Sequence, residues 1–226
     1  MSADLVLING NVITMNPSKP HAKAVAIKNG KIADVGTDSK IARWVGKQTK
    51  TIDLKGKTVV PGLIDTHAHM TSFGRTQLWI NLRGAKSVEE IQRLLQKRVR
   101  ETPKGKWIQG HGWDQECLSE KRYLTRWDLD KVSPDNPVVL RRICGHISVA
   151  NTKALELANI TRQTVDPSGG RIDRDPNTGE STGILREKAS NLVWSICPEP
   201  SEEEVVQACS LACQKAVEAG LTSVHW

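Results

Sequence analysis

Two histidines separated by one residue are the most chemically suggestive feature of this sequence. His67 and His69 follow the pair Pro61-Gly62 and the apolar segment Leu63-Ile64. Side chains two positions apart on a strand project to the same side, so the two imidazoles could converge on one divalent metal ion. Asp65 shares that side and could orient a histidine through a hydrogen bond. We therefore predict His67 and His69 as metal ligands and Asp65 as their supporting residue; the alternative is a pair of exposed loop histidines.

Five further residues are candidates for the site because they stand near predicted strand or helix ends. Trp113 and Asp114 form a Gly-Trp-Asp segment and could line a substrate pocket, although Trp113 is equally well explained as a core residue. His146 follows an apolar strand and is a pocket candidate, with a hydrogen-bonded core histidine as the alternative. His225 ends the last predicted strand. Glu187 could approach the metal or pair with a neighbouring cation on the surface.

The other histidines and the cysteines carry weaker signals. His21 and His111 are predicted as surface residues. Cys209 and Cys213 lie one helical turn apart and could help to bind a metal, but they have no second Cys/His pair nearby, so buried core positions are favoured. The five cysteines form an odd set without regular spacing, which favours free thiols in a reducing compartment. We therefore predict a cytoplasmic protein.

Composition and charge argue against several classes of partner. The 226-residue chain has 38% hydrophobic and 25% charged residues, as a globular protein does. Its net charge of +7 comes from lysines and arginines that are scattered along the sequence, whereas a nucleic-acid-binding face clusters its charge. The first residues lack the pattern of a signal peptide, and no run of about 18 apolar residues is present. We expect a small-molecule substrate, without nucleic acid or membrane as a partner.

The first sixty residues are predicted to form short strands. Asn9-Gly10-Asn11, Asn29-Gly30 and Lys55-Gly56-Lys57 each separate two short apolar runs. Asn-Gly between apolar runs is typical of a hairpin, because the turn requires positive φ. Three hairpins, and hence a small sheet or sandwich, are therefore predicted. Pro61-Gly62 ends this region and leads into a predicted buried strand that carries the two histidines.

Helices are predicted to dominate the middle and the end of the chain. Residues 161–182 are rich in Gly, Pro, Asp and Asn and predict an exposed loop or hairpin, and Ile184–Ile196 predicts a helix. Four residues are predicted to cap helices: Ser87, Thr125, Asn151 and Ser201.

The segment from Val59 to His69 resembles the first barrel strand of the amidohydrolase superfamily. The short strands before it resemble the first half of that superfamily's composite β-sandwich. Later segments resemble amidohydrolase family 3, the group that contains N-substituted formamide deformylase-like enzymes. These segments are Gly112-Trp113-Asp114, Thr125-Arg126-Trp127-Asp128, Ser133-Pro134-Asp135-Asn136-Pro137, Gly145-His146, Asn151-Thr152-Lys153-Ala154-Leu155, Thr182-Gly183-Ile184-Leu185 and Ala219-Gly220-Leu221-Thr222-Ser223-Val224-His225. These segments occur in the same order as in that family, and this order indicates the family more specifically than any single motif does.

The resemblance implies an α/β fold, namely a metal-dependent hydrolase with a (β/α)8 TIM-like barrel. In that fold residues 1–61 would belong to the composite β-sandwich, 62–71 to the first barrel strand, 72–200 to an α+β insertion, and 201–226 to a helix and the second barrel strand. It also implies one or two divalent metal ions, most often zinc, whose hydroxide attacks a carbonyl. His67 and His69 match the ligands from the first strand. The other ligands and the proton-shuttling aspartate belong to later strands and match no position here.

The sequence predicts a truncated barrel, because the chain ends within the second predicted barrel strand. The leading hypothesis is a metal-dependent amidohydrolase that cleaves a non-peptide carbon–nitrogen bond of the amide or formamide type. Two alternatives stay open: a ring deaminase of the same superfamily, and an inactive fragment or half that needs a complementary C-terminal half. Exposed barrel edges would also favour association, including a homo-oligomer.

Overall fold

The computed structural model describes residues 2–225, which form seven α-helices and fifteen strands. In chain order they are β1 (Leu5–Ile8), β2 (Asn11–Ile13), β3 (His21–Ala22), β4 (Ala24–Lys28), β5 (Lys31–Gly36), α1 (Asp38–Ala42), β6 (Lys50–Asp53), β7 (Thr58–Val59), β8 (Leu63–Asp65), α2 (Met70–Leu78), β9 (Ile80–Asn81), α3 (Val88–Glu101), β10 (Ile108–Trp113), α4 (Arg126–Asp130), β11 (Val138–Arg142), β12 (Ile147–Ala150), α5 (Thr152–Leu157), β13 (Gly170–Arg174), β14 (Ser181–Glu187), α6 (Asn191–Trp194), α7 (Glu202–Glu218) and β15 (Leu221–Val224). The predicted mixture of helices and strands is confirmed. The barrel stays a prediction, because the described strands pair in four separate sheets.

The described chain divides into two compact units. The first unit comprises residues 2–67 and 218–225, and the second unit comprises residues 68–217. The first unit therefore holds the N-terminal strands together with β8 and β15, and the second unit holds a six-stranded sheet. Within residues 2–225, no helix is both long and apolar enough to cross a membrane.

The N-terminal strands of the first unit form two small sheets, ordered β5-β4-β1-β6 and β3-β2-β7. β1 pairs in parallel with β6, and the continuation of each strand forms the parallel pair of β2 with β7. Backbone hydrogen bonds join the two connections where the chain crosses from one sheet to the other. Leu54 N donates to Ile8 O at 2.9 Å, and Gly56 N donates to Asn9 O at 2.7 Å. The two segments therefore run side by side through both sheets.

Of the three predicted hairpins, one is present in the described chain. Asn29-Gly30 joins β4 and β5 as an antiparallel pair. The hairpins predicted at Asn9-Gly10-Asn11 and Lys55-Gly56-Lys57 are wrong, because these segments carry a strand onward into the second sheet. The backbone does turn there, with φ of +53° at Asn9 and +79° at Gly56. The Asn and Gly residues thus indicate correctly where the backbone turns. The strand with which each segment pairs is determined by contacts between residues that are distant in sequence.

β8 and β15 form a separate parallel pair in the first unit. The strand predicted to run through His69 ends at Asp65. Its apolar residues were predicted to be buried, but Leu63 is 57% and Ile64 is 58% exposed. Among the described residues β15 is the single strand that pairs with β8, so nothing in this sheet covers the strand's other edge.

The second unit is built on a sheet ordered β13-β14-β12-β11-β10-β9. β9, β10 and β11 are parallel, and the remaining neighbours are antiparallel. Alternate residues on a strand face opposite sides, so β11 contributes to two cores. Val138 and Leu140 pack in one core with Ile91 of α3, and Val139 packs in the other with Leu185 and Val193. The sheet therefore has a buried apolar cluster on each face.

A buried carboxamide fixes the start of β11 to the start of α5. Asn151 is fully buried, and its Oδ1 accepts hydrogen bonds from the backbone N–H groups of Val138 (2.9 Å) and Ala154 (3.0 Å). Its Nδ2 donates to the backbone carbonyls of Ser133 (3.0 Å) and Asn136 (2.9 Å). A carboxamide can form four such bonds, and all four are formed here. The predicted cap at Asn151 is confirmed, and the same side chain also orders the segment that precedes β11.

The other predicted helix caps are also confirmed. Ser201 and Glu204 exchange the two hydrogen bonds of a capping box at the start of α7. Asp128 accepts a hydrogen bond from the backbone N–H of Thr125 in the box that opens α4. Ser87 Oγ caps α3. Caps depend on residues a few positions apart, which is why the sequence predicts them well.

The helix predicted over Ile184–Ile196 is wrong in its first part. Residues Ser181–Glu187 form β14, which pairs with both β12 and β13. A single 3-10 turn at Lys188–Ser190 follows, and then the short α6. A short apolar run fits a buried strand as well as a buried helix, and here the pairing on both sides selects the strand. The hairpin predicted within residues 161–182 corresponds to β13 and the start of β14.

Replacing Asn151 by alanine should lower the free energy of unfolding by about 3 kcal/mol or more, because four buried backbone groups lose their partner. Chemical denaturation followed by circular dichroism measures this change. Asn177→Ala, at an exposed loop position, is the matched control and should change stability by less than about 0.5 kcal/mol. Equal stability of the two variants would contradict the role given to the buried carboxamide.

Candidate functional site

The first group of candidate residues lies at the carboxyl ends of β8 and β15, within the first unit. Asp65 ends β8, and its Oδ1 accepts a 3.0 Å hydrogen bond from the backbone N–H of His67. The backbone N–H of His225, directly after β15, donates to Asp65 O at 2.9 Å. The side chains of His67 and His225 are exposed. The Asp65 side chain thus stabilises the turn that contains His67, because it binds the backbone N–H of that residue.

His69 belongs to the second unit and stands directly before α2. Its carbonyl accepts a 2.9 Å hydrogen bond from Phe73 N in the first turn of that helix. The helix packs closely on α7 at Gly74, where a Cβ would lie 2.1 Å from the carbonyl oxygen of Ala208. His69, Phe73 and Trp79 line a cavity of about 470 Å³. The close approach at Gly74 therefore sets the position of one wall of this cavity.

His111 lines the same cavity, although the sequence indicated a surface residue. It is half-buried in β10, with its ring 6.3 Å from that of Trp79 in an edge-on arrangement. Burial lowers the pKa of His111, and the positive charges of Arg83 and Arg141 lower it further. The imidazole is therefore mostly neutral at pH 7, a state in which one ring nitrogen donates a hydrogen bond and the other accepts one.

A row of polar side chains crosses the sheet beside this cavity. Asn81 of β9, His111 of β10, Arg141 of β11 and Ser148 of β12 are paired positions in successive strands. Directly paired residues share a face of the sheet, so these four side chains form one polar row. Trp194 contacts its end by donating from Nε1 to Ser148 Oγ at 2.9 Å. In open sheets ligands commonly bind near the carboxyl ends of parallel strands, where this row lies.

Trp113 and Asp114, two predicted pocket residues, have structural partners. Trp113 is fully buried, and its Nε1 donates to Leu140 O at 3.1 Å. The core alternative considered for Trp113 therefore matches its position. Asp114 is largely buried and forms an ion pair with Arg142, whose guanidinium nitrogen lies 2.8 Å from Asp114 Oδ1. This pair joins the end of β10 to the end of β11.

His146 and Glu187 form a hydrogen-bonded pair. His146 Nδ1 lies 3.0 Å from Glu187 Oε2, and Glu187 N donates to His146 O at 2.7 Å. This hydrogen bond and the negative charge of Glu187 raise the pKa of His146. The backbone of Glu187 has φ of +50° and ψ of −126°, a region that favours glycine and costs of order 1–3 kcal/mol. Both residues line a cleft of about 230 Å³ in the second unit. Strain of this kind is typical of functional sites.

The described residues do not complete a metal centre. Within residues 2–225, no three His, Cys, Asp or Glu side chains are grouped so that they could hold a metal ion. A catalytic zinc ion usually has three protein ligands and one open position. His67 and His69 stay predicted ligands, and Cys209 and Cys213 do not complete a group of three among the described residues. The predicted metal therefore does not fit the described residues alone.

Several residues that shape the second unit's cavities were not predicted. They are His111, Arg141 and the stacked pair of Trp79 and Trp194, whose ring centroids lie 5.1 Å apart. For His111 a signal was present, because Gln109 and His111 alternate with buried positions and so indicate a strand with one polar face. The tryptophans are far apart in sequence, and no local pattern indicates that they stack.

Comparison with known proteins gives a consistent result. The amidohydrolase family matches residues 50–226. The chain is 38% identical over 222 residues to the protein LONG AFTER FAR-RED 3 of Arabidopsis thaliana, covering 98% of this chain and 38% of that protein. It is 33% identical over 227 residues to an N-substituted formamide deformylase of Arthrobacter pascens, covering 98% of this chain and 42% of the enzyme. The chain thus spans about two fifths of the length of these relatives.

A solved structure shares the fold. It is a metal-dependent hydrolase from Pyrococcus furiosus that is itself uncharacterized, with a TM-score of 0.68 and 32% sequence identity. The match covers 97% of this chain and 43% of that protein. The similarity therefore extends over nearly the whole chain, through both units.

The pairing of His146 with Glu187 predicts a specific titration. Glu187→Gln should lower the pKa of His146 towards the ordinary histidine value, because the amide removes the negative charge that favours the imidazolium. NMR titration of the imidazole signals measures it. Because the pKa is raised, the ion pair exists below that pKa and is lost as the pH rises through it. Glu156→Gln, at an exposed position of α5, is the control, and an unchanged His146 pKa in Glu187→Gln would refute the pairing.

Proposed function

Because the chain belongs to the amidohydrolase family, we propose that the protein is a metal-dependent hydrolase that cleaves a non-peptide carbon–nitrogen bond. The substrate class that we favour is an amide or an N-substituted formamide. The observation that carries this choice is the similarity to a formamide deformylase along 98% of the chain. We place the enzyme in the cytoplasm, with a small-molecule substrate and without nucleic acid or membrane as a partner.

In this proposal His67 and His69 are ligands of one or two divalent metal ions. Zinc is the metal that we favour, because imidazole is a common zinc ligand. Asp65 supports the arrangement by holding the backbone N–H of His67. The described residues supply no group of three metal-binding side chains, so these two histidines are the ligands assigned within residues 2–225.

We assign substrate binding to the cavity lined by His69 and His111. Its volume of about 470 Å³ suits a small molecule, since ligand pockets commonly measure roughly 300–1,000 Å³. The aromatic rings of Phe73 and Trp79 offer apolar surface to the substituent on the amide nitrogen. Arg83 and the neutral His111 offer hydrogen bonds to the amide group. Burial of a polar amide requires such partners.

Two other functions stay open within this proposal. A ring deaminase of the same superfamily would use the same histidines on an amidine carbon. Alternatively, the chain is a half that becomes active with a complementary C-terminal half, or assembles with copies of itself. The exposed Leu63 and Ile64 on β8 favour an additional partner at that strand, because apolar residues on an unpaired strand edge tend to be covered.

Zinc binding tests the ligand assignment. The double variant His67→Ala/His69→Ala should weaken zinc binding by at least about tenfold, because it removes both imidazoles from the site. Equilibrium dialysis with metal analysis gives the affinity and the number of ions bound. His21→Ala is the matched control, since His21 is an exposed histidine in β3 outside the proposed site. Equal zinc binding by the double variant and the control would refute the assignment.

Activity distinguishes the three functions. The zinc-loaded chain is incubated with N-ethylformamide, N-ethylacetamide and a cyclic amidine, and formate, acetate and ammonia are quantified. Release of formate or acetate that depends on His67 and His69 supports the proposed function. Ammonia from the amidine alone indicates the deaminase. Histidine-dependent zinc binding without any turnover indicates a half that needs a complementary segment.

A further inference from the structure

Arg141 is a half-buried cation that no carboxylate of residues 2–225 neutralises. It lies in the polar row, and its guanidinium carbon is 4.3 Å from the ring centroid of Trp194 and 5.7 Å from that of Trp79. None of the ion pairs formed within the described chain includes it. Burial lowers the pKa of Arg141, which is the direction expected of a charge removed from water.

The surroundings of Arg141 add positive charge. The charge of Arg75 lowers the pKa of Arg141 further, and Arg83 and Arg141 both act on His111. Arg75 and Arg83 also form no ion pair within the described residues. Contact with aromatic rings stabilises a guanidinium, but it leaves the net charge in place. The region therefore attracts an anion.

The cleft beside Arg141 has room and donors for such an anion. It measures about 230 Å³ and is lined by Arg141, His146, Lys188 and Asn191, all of which can donate hydrogen bonds. The carboxylate that also lines it, that of Glu187, is hydrogen-bonded to His146 at 3.0 Å. The volume admits a group of a few heavy atoms, not a whole drug-sized ligand.

We propose that this cleft binds the carboxylate of a small ligand, with Arg141 as the counter-ion. The planar guanidinium presents paired N–H donors that match the two oxygens of a carboxylate. A carboxylate fits better than a phosphate, because Glu187 lines the same cleft and repels a doubly charged anion more strongly.

The identity of the rest of the ligand rests on the proposed function. Arg141 is paired directly with His111 in the neighbouring strand, and His111 lines the cavity assigned to the amide. A ligand that carries both a carboxylate and an amide, such as an N-acylated amino acid, could therefore contact both residues. Arg141 is in this sense a specificity-determining residue and takes no part in bond cleavage.

A binding experiment without turnover tests the cleft separately from hydrolysis. The metal-free chain is titrated by calorimetry with N-formylglycine, with its neutral analogue N-formylglycinamide, and with inorganic phosphate. N-formylglycine should bind at least about tenfold more tightly than the amide, and Arg141→Gln should abolish this preference. Arg93→Gln, an exposed arginine of α3, should retain it. Binding of this kind would stand even if no hydrolysis were found.

Two results would overturn the proposal. One is equal affinity for N-formylglycine and its amide, or a preference that survives Arg141→Gln. The other is tighter binding of phosphate than of N-formylglycine, which would assign the cleft to a different anion. If Arg141→Gln does not fold, the indole N–H signal of Trp194 in the wild-type chain decides. That NMR signal should shift with N-formylglycine and not with the amide, and its failure to do so refutes the site.

Discussion

The arrangement of the second unit depends on the buried carboxamide of Asn151. This side chain saturates four backbone groups and so fixes the segment that enters β11. A second buried amide, Asn136, continues the network by donating from Nδ2 to the backbone carbonyls of Pro103 and Lys106, directly before β10. The amino ends of two central parallel strands are thus connected through side-chain amides. An apolar residue of similar size at either position would leave these buried backbone groups unpaired.

Fixing the amino ends of the strands has a consequence at their carboxyl ends. β10 and β11 reach the polar row in a set register, because their pairing is determined where they start. The row can then carry His111 and Arg141, which are members of neither buried apolar cluster. Each face of the sheet has its own buried cluster, so the strands remain packed although one end is polar. β10 and β11 are therefore held by side-chain amides at their amino ends and carry the polar row near their carboxyl ends.

Features that depend on near neighbours in sequence could be predicted, and features that depend on distant partners could not. The helix caps at Ser201 and Asn151 follow from residues three positions apart, and they are present. The turn at Asn9 exists as well, but its strands pair with partners that the local pattern does not specify. His146 and Glu187 were separate candidates, because nothing in the sequence indicates that residues 41 positions apart form a hydrogen bond.

The candidate site likewise has one part that a local sequence motif indicates and another part that depends on residues distant in sequence. The motif around His67 is recognisable in sequence, yet it follows a three-residue strand whose apolar side chains are largely exposed. Local stability is low where few apolar contacts are buried. We therefore expect the segment around His67 to have a lower local stability than the residues that line the cavity. The cavity residues of the second unit lack a recognisable motif but rest on a sheet with two packed cores. The cavity and the cleft are both lined by residues of the second unit alone. The two histidines of the motif, in contrast, are not joined by a third metal-binding side chain within residues 2–225.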